Sequence, residues 1–170
     1  MASVEDIGID LGSSNVLISE RGKGIVLNEP AVLAVNHDTR NIISIGLEAY
    51  RMIGREPAGI TVVRPLQKGT IQDFDMLSIM LNYFVMRVVG KHLFNRPRAL
   101  MSVSATANEI EKRQLILGML EAGTRRTQMI ERPLAAAIGA GVPIHEVTGR
   151  MVADIGGATT DIAVLSSGEI

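Results

Sequence analysis

The sequence predicts an α/β fold in which helices cover a mixed β-sheet. Antiparallel strand candidates joined by short turns come first in the chain, and strands alternate with helices afterwards. This order is typical of a mixed sheet with flanking helices. The chain has 170 residues, of which 46% are hydrophobic, so it can bury a sizeable core. Residues 31–64 lack long helical patterns, and we expect them to form a small insertion.

Short apolar runs separated by turn residues predict the strands of the first half. The predicted elements, in chain order, are strands 6–11, 15–20 and 25–28, a hairpin of strands 31–35 and 42–45, a short helix at 46–53 and a strand at 60–63. Gly54 and Pro57 end the short helix, because both residue types disfavour its continuation.

Apolar residues at helical spacing predict the longer helices of the second half. A helix over 73–92 begins at Asp73 or Asp75, and its apolar face contains Met76, Ile79, Met80, Tyr83, Phe84 and Val88. The elements after it are a strand at 99–103, a helix ending at 122, a strand at 128–130, a helix at 134–140 and a hairpin of 151–155 and 161–165. Thr106 and Glu109 fit a capping box, and Pro133 fits the first turn of the last helix.

Composition and patterning exclude several classes of protein. The net charge of −1 gives no indication of a nucleic-acid partner. The chain has no cysteine, which excludes disulfides and thiolate metal sites and is consistent with a reducing compartment. The acidic segment 1–6 does not resemble a signal peptide, and no apolar stretch is long enough to span a bilayer.

A short pattern that occurs twice gives the strongest indication of function. Residues 7–15 and 152–159 each contain an apolar run, an Asp, an apolar residue, a Gly and then small or hydroxylated residues. A second apolar run follows each copy, which predicts strand, tight turn and strand. Small residues let backbone N–H groups converge on an anion, and an Asp at a strand end can hold a cation, often through water. Two such hairpins facing each other would clamp a polyphosphate and its magnesium.

Five blocks of sequence carry a family resemblance. They are Ile7–Gly12, Gly22–Pro30, Arg64–Leu66 with Gly69, Pro133–Gly141 and Asp154–Gly157. In this order they resemble the MreB family of bacterial actin-like rod-shape proteins, within the superfamily of actin, sugar kinases and heat-shock chaperone ATPases. The resemblance implies an actin-like (ribonuclease H-like) ATPase fold with two domains around a nucleotide cleft. Residues 1–150 then correspond to the first domain, with its insertion at about 31–64, and residues 151–170 to the opening hairpin of an otherwise absent second domain.

The resemblance implies a site for ATP and magnesium between the two hairpins. Asp10 and Asp154 correspond to the acidic residues that approach magnesium, through water. The residues expected to meet the phosphates are Gly12, Ser13, Ser14 and Asn15 on one side and Gly156, Gly157, Ala158 and Thr159 on the other. For either copy alone, a turn-capping Asp in an ordinary hairpin is the alternative. The duplication favours the functional interpretation.

Three positions depart from the family pattern. Ala158 and Val16 stand where the family usually has Gly and Thr, and the methyl group of Ala158 would crowd a phosphate. Arg132 stands where the family usually has the Glu that orients the attacking water, and Arg cannot act as a base at neutral pH. Glu131 is the remaining catalytic candidate, but a shift of one residue reverses the face of a strand. Losing a positioned base costs about 10²–10⁴ in rate, so we expect at most a weak ATPase.

The segment before the strand at 99–103 is a candidate membrane contact. In the family this loop carries an apolar tip that enters the membrane, and Leu93 and Phe94 occupy it here. The flanking cations, which suit an anionic membrane surface, are Arg87, Lys91, Arg96 and Arg98. The alternative is that Leu93 and Phe94 close the helix end against the core.

The resemblance as a whole implies a cytoskeletal protein. Such a protein binds ATP, polymerises into filaments under the cytoplasmic membrane and helps determine cell shape by organising the cell-wall synthesis machinery. Two alternatives stay open. A sugar kinase or chaperone ATPase of the same superfamily is the first, although no sugar pocket or catalytic Asp is identifiable. The second is a non-catalytic interaction module whose altered hairpins no longer hold nucleotide.

Overall fold

The computed structural model describes residues 6–90 and 96–170, and it contains strands and helices in the order that the sequence predicts. The strands are β1 (Ile7–Leu11), β2 (Asn15–Glu20), β3 (Gly24–Pro30), β4 (Leu33–Asn36), β5 (Ile42–Ile45), β6 (Ile60–Val63), β7 (Leu66–Gln67), β8 (Thr70–Ile71), β9 (Arg98–Val103), β10 (Arg126–Glu131), β11 (Arg150–Ile155) and β12 (Thr160–Leu165). The helices are α1 (Leu47–Tyr50), α2 (Phe74–Val89), α3 (Glu109–Glu121) and α4 (Arg132–Gly139). The β7–β8 pair is absent from the sequence prediction, because two-residue strands carry no periodicity.

A five-stranded mixed sheet is the central feature of the fold, and its strand order is β10-β9-β1-β2-β3. The strand β1 pairs antiparallel with β2 and parallel with β9, and β9 pairs parallel with β10. The first sequence repeat therefore begins with β1, the central strand of this sheet, and continues into the turn before β2. The predicted α/β class with a mixed sheet is confirmed.

The main core lies between this sheet and the helices α2 and α3. Ile7, Ile9 and Leu11 alternate along β1 with more exposed residues and are buried, as expected for a strand whose two faces differ. The buried residues of α2 are Leu77, Met80, Leu81, Phe84, Val85 and Val89. The predicted apolar face of this helix was partly wrong, because Ile79 and Tyr83 are 42% and 40% exposed. Apolar residues cover more than one side of α2, and contact with the sheet and α3 selects the buried side.

Helix termini differ from the prediction by a few residues. Asp73, and not Asp75, caps α2 by accepting from the Met76 N–H at 3.0 Å. The capping box of α3 uses Asn108 and Glu111 in place of the predicted Thr106 and Glu109. Both pairs have the three-residue spacing of a capping box, so spacing alone does not distinguish them. The helix α4 begins at residue 132, before its proline, and α2 ends at residue 89 rather than 92.

A smaller three-stranded sheet, β5-β4-β6, lies within residues 33–63. Glu29 on β3 connects this region to the main core. One of its carboxylate oxygens accepts from the Leu47 N–H of α1 at 2.8 Å, and the other accepts from Arg87 Nη1 of α2 at 2.7 Å. Glu29 thereby fixes the start of α1 relative to α2.

The hairpin β11–β12 forms a two-stranded sheet of its own. The helix α4 packs against both of these strands and also against β9 and β10. It therefore ties the hairpin to the central sheet. On the hairpin, Met151, Ile155, Ile162 and Val164 are exposed. Within the described ranges, no helix is long and apolar enough to cross a membrane.

Candidate functional site

The two sequence repeats form two hairpins of the same construction. In the first turn the Gly12 N–H donates to the Asn15 carbonyl at 3.0 Å, and in the second the Gly156 N–H donates to the Thr159 carbonyl at 2.8 Å. Each Asp precedes its Gly by two residues, and Asp10 lies opposite Leu17 in the register as Asp154 lies opposite Asp161. The repeat in sequence is therefore a repeat in hydrogen bonding and register.

The two turns are in direct contact. A Cβ atom added to Gly157 would overlap the hydroxyl of Ser14, so only glycine fits at this approach. The turn between β7 and β8 adds a third side. Its Gly69 N–H donates to Ser13 Oγ at 3.3 Å, and a Cβ on Gly69 would lie 3.4 Å from Thr159 Cγ2. The structure thus brings the predicted phosphate-binding turns to one place.

Hydrogen bonds from other elements hold the first turn. Arg64 Nη1 donates to the Ser13 carbonyl at 3.2 Å, and the Ala31 N–H donates to the Ser14 carbonyl at 2.8 Å. The side chain of Asn15 donates from Nδ2 to Asn28 Oδ1 at 2.8 Å. These carbonyls and the Asn15 amide already have hydrogen-bond partners within the protein. The groups of the turn that could bind an anion are therefore backbone N–H groups and the Ser hydroxyls.

Acidic side chains from both hairpins converge on one arginine. Asp10 Oδ1 accepts from Ser102 Oγ at 2.5 Å and lies 3.7 Å from Arg132 Nε. Asp161 Oδ1 accepts from Ser104 Oγ at 2.9 Å, and its Oδ2 lies 3.2 Å from Arg132 Nη1. Ser102 and Ser104 lie at the end of β9 and just beyond it. The central sheet therefore holds one carboxylate from each hairpin.

Asp154 reaches this region through its cross-strand partner. It lies directly opposite Asp161 in the β11–β12 register, and residues directly opposite in an antiparallel pair share a face. The face that carries Asp154 is thus the one that meets Arg132. Sequence reasoning missed Asp161, although a carboxylate within the apolar run 160–165 was a usable signal.

Arg132, and not Glu131, lies among these acidic groups. Its side chain is only 14% exposed, and its Nη2 donates to the Leu11 carbonyl at 3.0 Å. Glu131 is the last residue of β10, in register with Val103. In the part of the chain that the structure describes, its side chain makes no capping hydrogen bond to α4. The change of direction between the strand and α4 places Arg132 at the site.

The described carboxylates do not form a cage for magnesium. Residues 6–90 and 96–170 contain no group of three or more His, Cys, Asp or Glu side chains arranged to hold a metal ion. Asp10 and Asp161 are already bonded to hydroxyls and paired with Arg132. Magnesium in proteins is commonly held by one or two carboxylates together with substrate phosphates. The residues are thus compatible only with an ion that arrives with a phosphate ligand.

Cavities at and away from the turns differ greatly in size. A cavity of about 20 Å³ borders Leu11, Gly69, Ser102, Ser104 and Arg132, which is room for about one water molecule. A larger cavity of about 720 Å³ lies between β6 and the start of α2. Its lining includes Arg64, which also bonds to the first turn. The Arg132 side chain is thus one of the groups that border the smaller cavity.

The predicted membrane residues Leu93 and Phe94 lie outside the described residues. Two of the four cations that were predicted to flank them are engaged in ion pairs. Arg87 lies 2.7 Å from Glu29, and Arg98 lies 2.5 Å from Asp6. The hydrogen bond from Arg98 lowers the pKa of Asp6 and raises the pKa of Arg98. These pairs reduce the positive charge that Arg87 and Arg98 offer to an anionic surface.

Comparisons with known proteins find relatives that match almost the whole chain. The family model described as MreB/Mbl protein matches residues 4–170. The cell shape-determining protein Mbl of Bacillus subtilis is 45% identical over 165 residues, which cover 97% of this chain and 50% of Mbl. The cell shape-determining protein MreB of Escherichia coli is 43% identical over 166 residues, which cover 95% of this chain and 48% of that protein. The chain thus spans about half the length of these relatives.

Solved structures show the same fold. MreB 5 of Spiroplasma citri bound to AMPPNP matches with a TM-score of 0.87 and 35% identity, over 96% of this chain and 49% of the other. The MamK double helical filament matches with a TM-score of 0.76 and 20% identity, over 96% of this chain and 50% of the other. The second likeness concerns the fold alone, and both identify the fold as actin-like.

Proposed function

Because the chain belongs to the MreB/Mbl family, we propose that it provides the two phosphate-binding turns of an actin-like ATP site and contributes to cell shape as part of a filament-forming protein. The contact between the turns at Ser14 and Gly157 is the observation that carries this proposal. It supports two Gly-rich turns acting on the same phosphate group. The related MreB 5 structures are bound to AMPPNP and to ADP, which are nucleotides of the class proposed for this site.

In this proposal the residues act by position and by hydrogen bonding. Residues 12–15 meet the phosphates from one side, through the hydroxyls of Ser13 and Ser14 and the backbone N–H groups that do not close the turn, and residues 156–159 meet them from the other. Residues 1–150 form the first domain, and residues 151–170 begin the second. Magnesium accompanies the phosphates, with Asp10 and Asp154 nearby, and supplies charge neutralisation when bound.

We further propose that hydrolysis is slow. Arg132 is paired with Asp161, and arginine cannot act as a base toward water at neutral pH. Glu131, one residue earlier, is the other candidate base that the sequence offers. Steady-state phosphate release tests this, with Arg132→Glu as the variant that restores a carboxylate. Family-like turnover by the unaltered protein would overturn the idea.

The proposed setting is the cytoplasmic face of the membrane, where the filament helps to organise cell-wall synthesis. Leu93 and Phe94 are its membrane contact, and burying both side chains yields about 3–6 kcal/mol before costs. One copy then binds weakly and a filament binds by avidity. Co-sedimentation with anionic liposomes tests this in a Leu93→Ser, Phe94→Ser double variant. Unchanged pelleting would remove the membrane part of the proposal.

One alternative retains a structural argument. Arg132 and Ala158 make the site more crowded than the family pattern, which favours a non-catalytic interaction module that holds no nucleotide. Family membership disfavours the sugar-kinase and chaperone alternatives.

Two measurements test the proposal against this alternative. Calorimetric titration of ATP into the protein measures binding, and sedimentation with and without ATP measures assembly. Both measurements apply to this chain and to any longer product whose reading frame continues past Ile170. Binding with ATP-dependent pelleting supports the proposed function. Absence of binding supports the interaction module.

A further inference from the structure

Arg132 is a fixed positive charge between the two hairpins. Its Nη1 lies 3.2 Å from Asp161 Oδ2, its Nη2 donates to the Leu11 carbonyl at 3.0 Å, and its Nε lies 3.7 Å from Asp10 Oδ1. Three separate groups therefore orient a side chain that is 14% exposed. A guanidinium held in this way presents its positive charge in one fixed orientation.

The acidic partners of Arg132 are themselves held in place. Ser102 donates to the carboxylate oxygen of Asp10 that is nearest Arg132, and Ser104 donates to the Asp161 oxygen that Arg132 leaves free. Both oxygens of Asp161 are thus bonded. These bonds leave fewer oxygen lone pairs that could coordinate a cation. Arg132 also neutralises one of the two negative charges of Asp10 and Asp161.

The guanidinium has donors left for an anion. It carries five N–H donors in a planar fork, and its contacts with Asp161 and the Leu11 carbonyl account for one donor on each terminal nitrogen. Such forks bind phosphate oxygens through charged hydrogen bonds. The turns on both sides of Arg132 are those at which the proposed phosphates lie.

We propose that Arg132 is a phosphate-binding residue that supplies, from the chain itself, charge that a metal ion would otherwise provide, so that the polyphosphate binds with little dependence on magnesium. This inference rests on the proposed nucleotide site. The inference concerns which positive charge neutralises the phosphates at that site. The ligand is a nucleoside triphosphate or inorganic triphosphate.

Calorimetric titrations of the chain with ATP and with inorganic tripolyphosphate, in excess magnesium and in EDTA, test the inference. We expect the affinity of the unaltered chain to change by less than about threefold on magnesium removal. Arg132→Gln should weaken binding in EDTA by at least about tenfold, the effect of one lost charged hydrogen bond. In magnesium its effect should be smaller.

Matched variants separate this role from loss of folding. Arg113→Gln removes an exposed charge from α3 and should leave all affinities unchanged. If Arg132→Gln unfolds because Asp161 is left unpaired, the double variant Arg132→Gln, Asp161→Asn removes both charges and should show the same loss in EDTA. Circular dichroism verifies the fold of each variant.

The outcomes distinguish the inference from the proposed function. Binding in EDTA that depends on Arg132 supports the inference. Binding that requires magnesium and does not change in Arg132→Gln overturns it and leaves the proposed nucleotide site intact. No binding of either ligand under either condition overturns the proposed site and the inference with it.

Discussion

The hydroxyl of Ser14 in the first turn lies against Gly157 in the second turn, with no space for a methyl group between them. This contact couples the hairpin β11–β12 to the central sheet at the candidate site. It also makes the packing of the two turns testable by substitutions of a single methyl or hydroxymethyl group.

We expect Gly157→Ala to lower the free energy of unfolding by about 1–3 kcal/mol, because an added methyl overlaps the Ser14 hydroxyl and comes within 3.2 Å of its Cβ, so that Ser14 must shift. Adding Ser14→Gly should recover most of this loss by removing the obstructing side chain. Urea unfolding measures both effects. The control is Gly139→Ala, where a Cβ meets nothing within 4 Å. Equal stability of Gly157→Ala and the unaltered chain would contradict the contact.

Glu29 should be an important polar residue for the smaller sheet. Glu29→Ala removes the acceptor for the Leu47 N–H and for Arg87, and hydrogen bonds to charged groups contribute about 1.5–3 kcal/mol each. Since Arg87 is 46% exposed, its pair with Glu29 adds little, and we expect a total loss near the lower limit for the Leu47 bond alone, about 1.5 kcal/mol. Glu48→Ala, which breaks an exposed pair with Arg51, should cost less than about 1 kcal/mol. Thermal unfolding of both variants checks the ranking.

Substitutions at the start of α3 distinguish the capping box that the sequence predicts from the one in the structure. Asn108→Ala removes the acceptor for the Glu111 N–H, and loss of an N-cap costs about 1 kcal/mol. Thr106→Ala should change stability by less than about 0.5 kcal/mol, since Thr106 is an exposed residue outside the helix. Chemical denaturation of the two variants decides the matter. A larger effect at Thr106 would favour the capping box that the sequence suggested.

The pair of Asp6 and Arg98 predicts a pH dependence. The hydrogen bond from Arg98 lowers the pKa of Asp6 below its usual value of 3.8. A carboxyl whose pKa is lower in the folded state stabilises that state above pH 3.8 and ceases to do so as the pH falls through the folded pKa. We expect Asp6→Asn to be less stable than the unaltered chain at neutral pH, with a difference that disappears in acid. Denaturation midpoints of both proteins, measured from neutral pH down into acid, give this difference in stability. Asp38→Asn, at an exposed position, is the control. A difference that does not change with pH would argue against the ion pair of Asp6 and Arg98.

The repeated hairpins show how far the sequence alone could lead. The order apolar run, Asp, Gly, small residues determines each strand and turn locally, so both hairpins and the positions of Asp10 and Asp154 were predictable. The α/β class followed from the order of such local patterns. Family resemblance added the actin-like fold, which the comparisons confirm.

Contacts between distant segments were not predictable in this way. Arg132 meets Leu11, which is 121 residues away in sequence, and Asp161, which is 29 residues away. The parallel pairing of β1, β9 and β10 and the turn into α4 create these neighbours. The buried side of α2 likewise depended on what packed against it. Local periodicity specifies an element and its faces, whereas the choice of face and of charged partner depends on elements that meet only when the chain has folded.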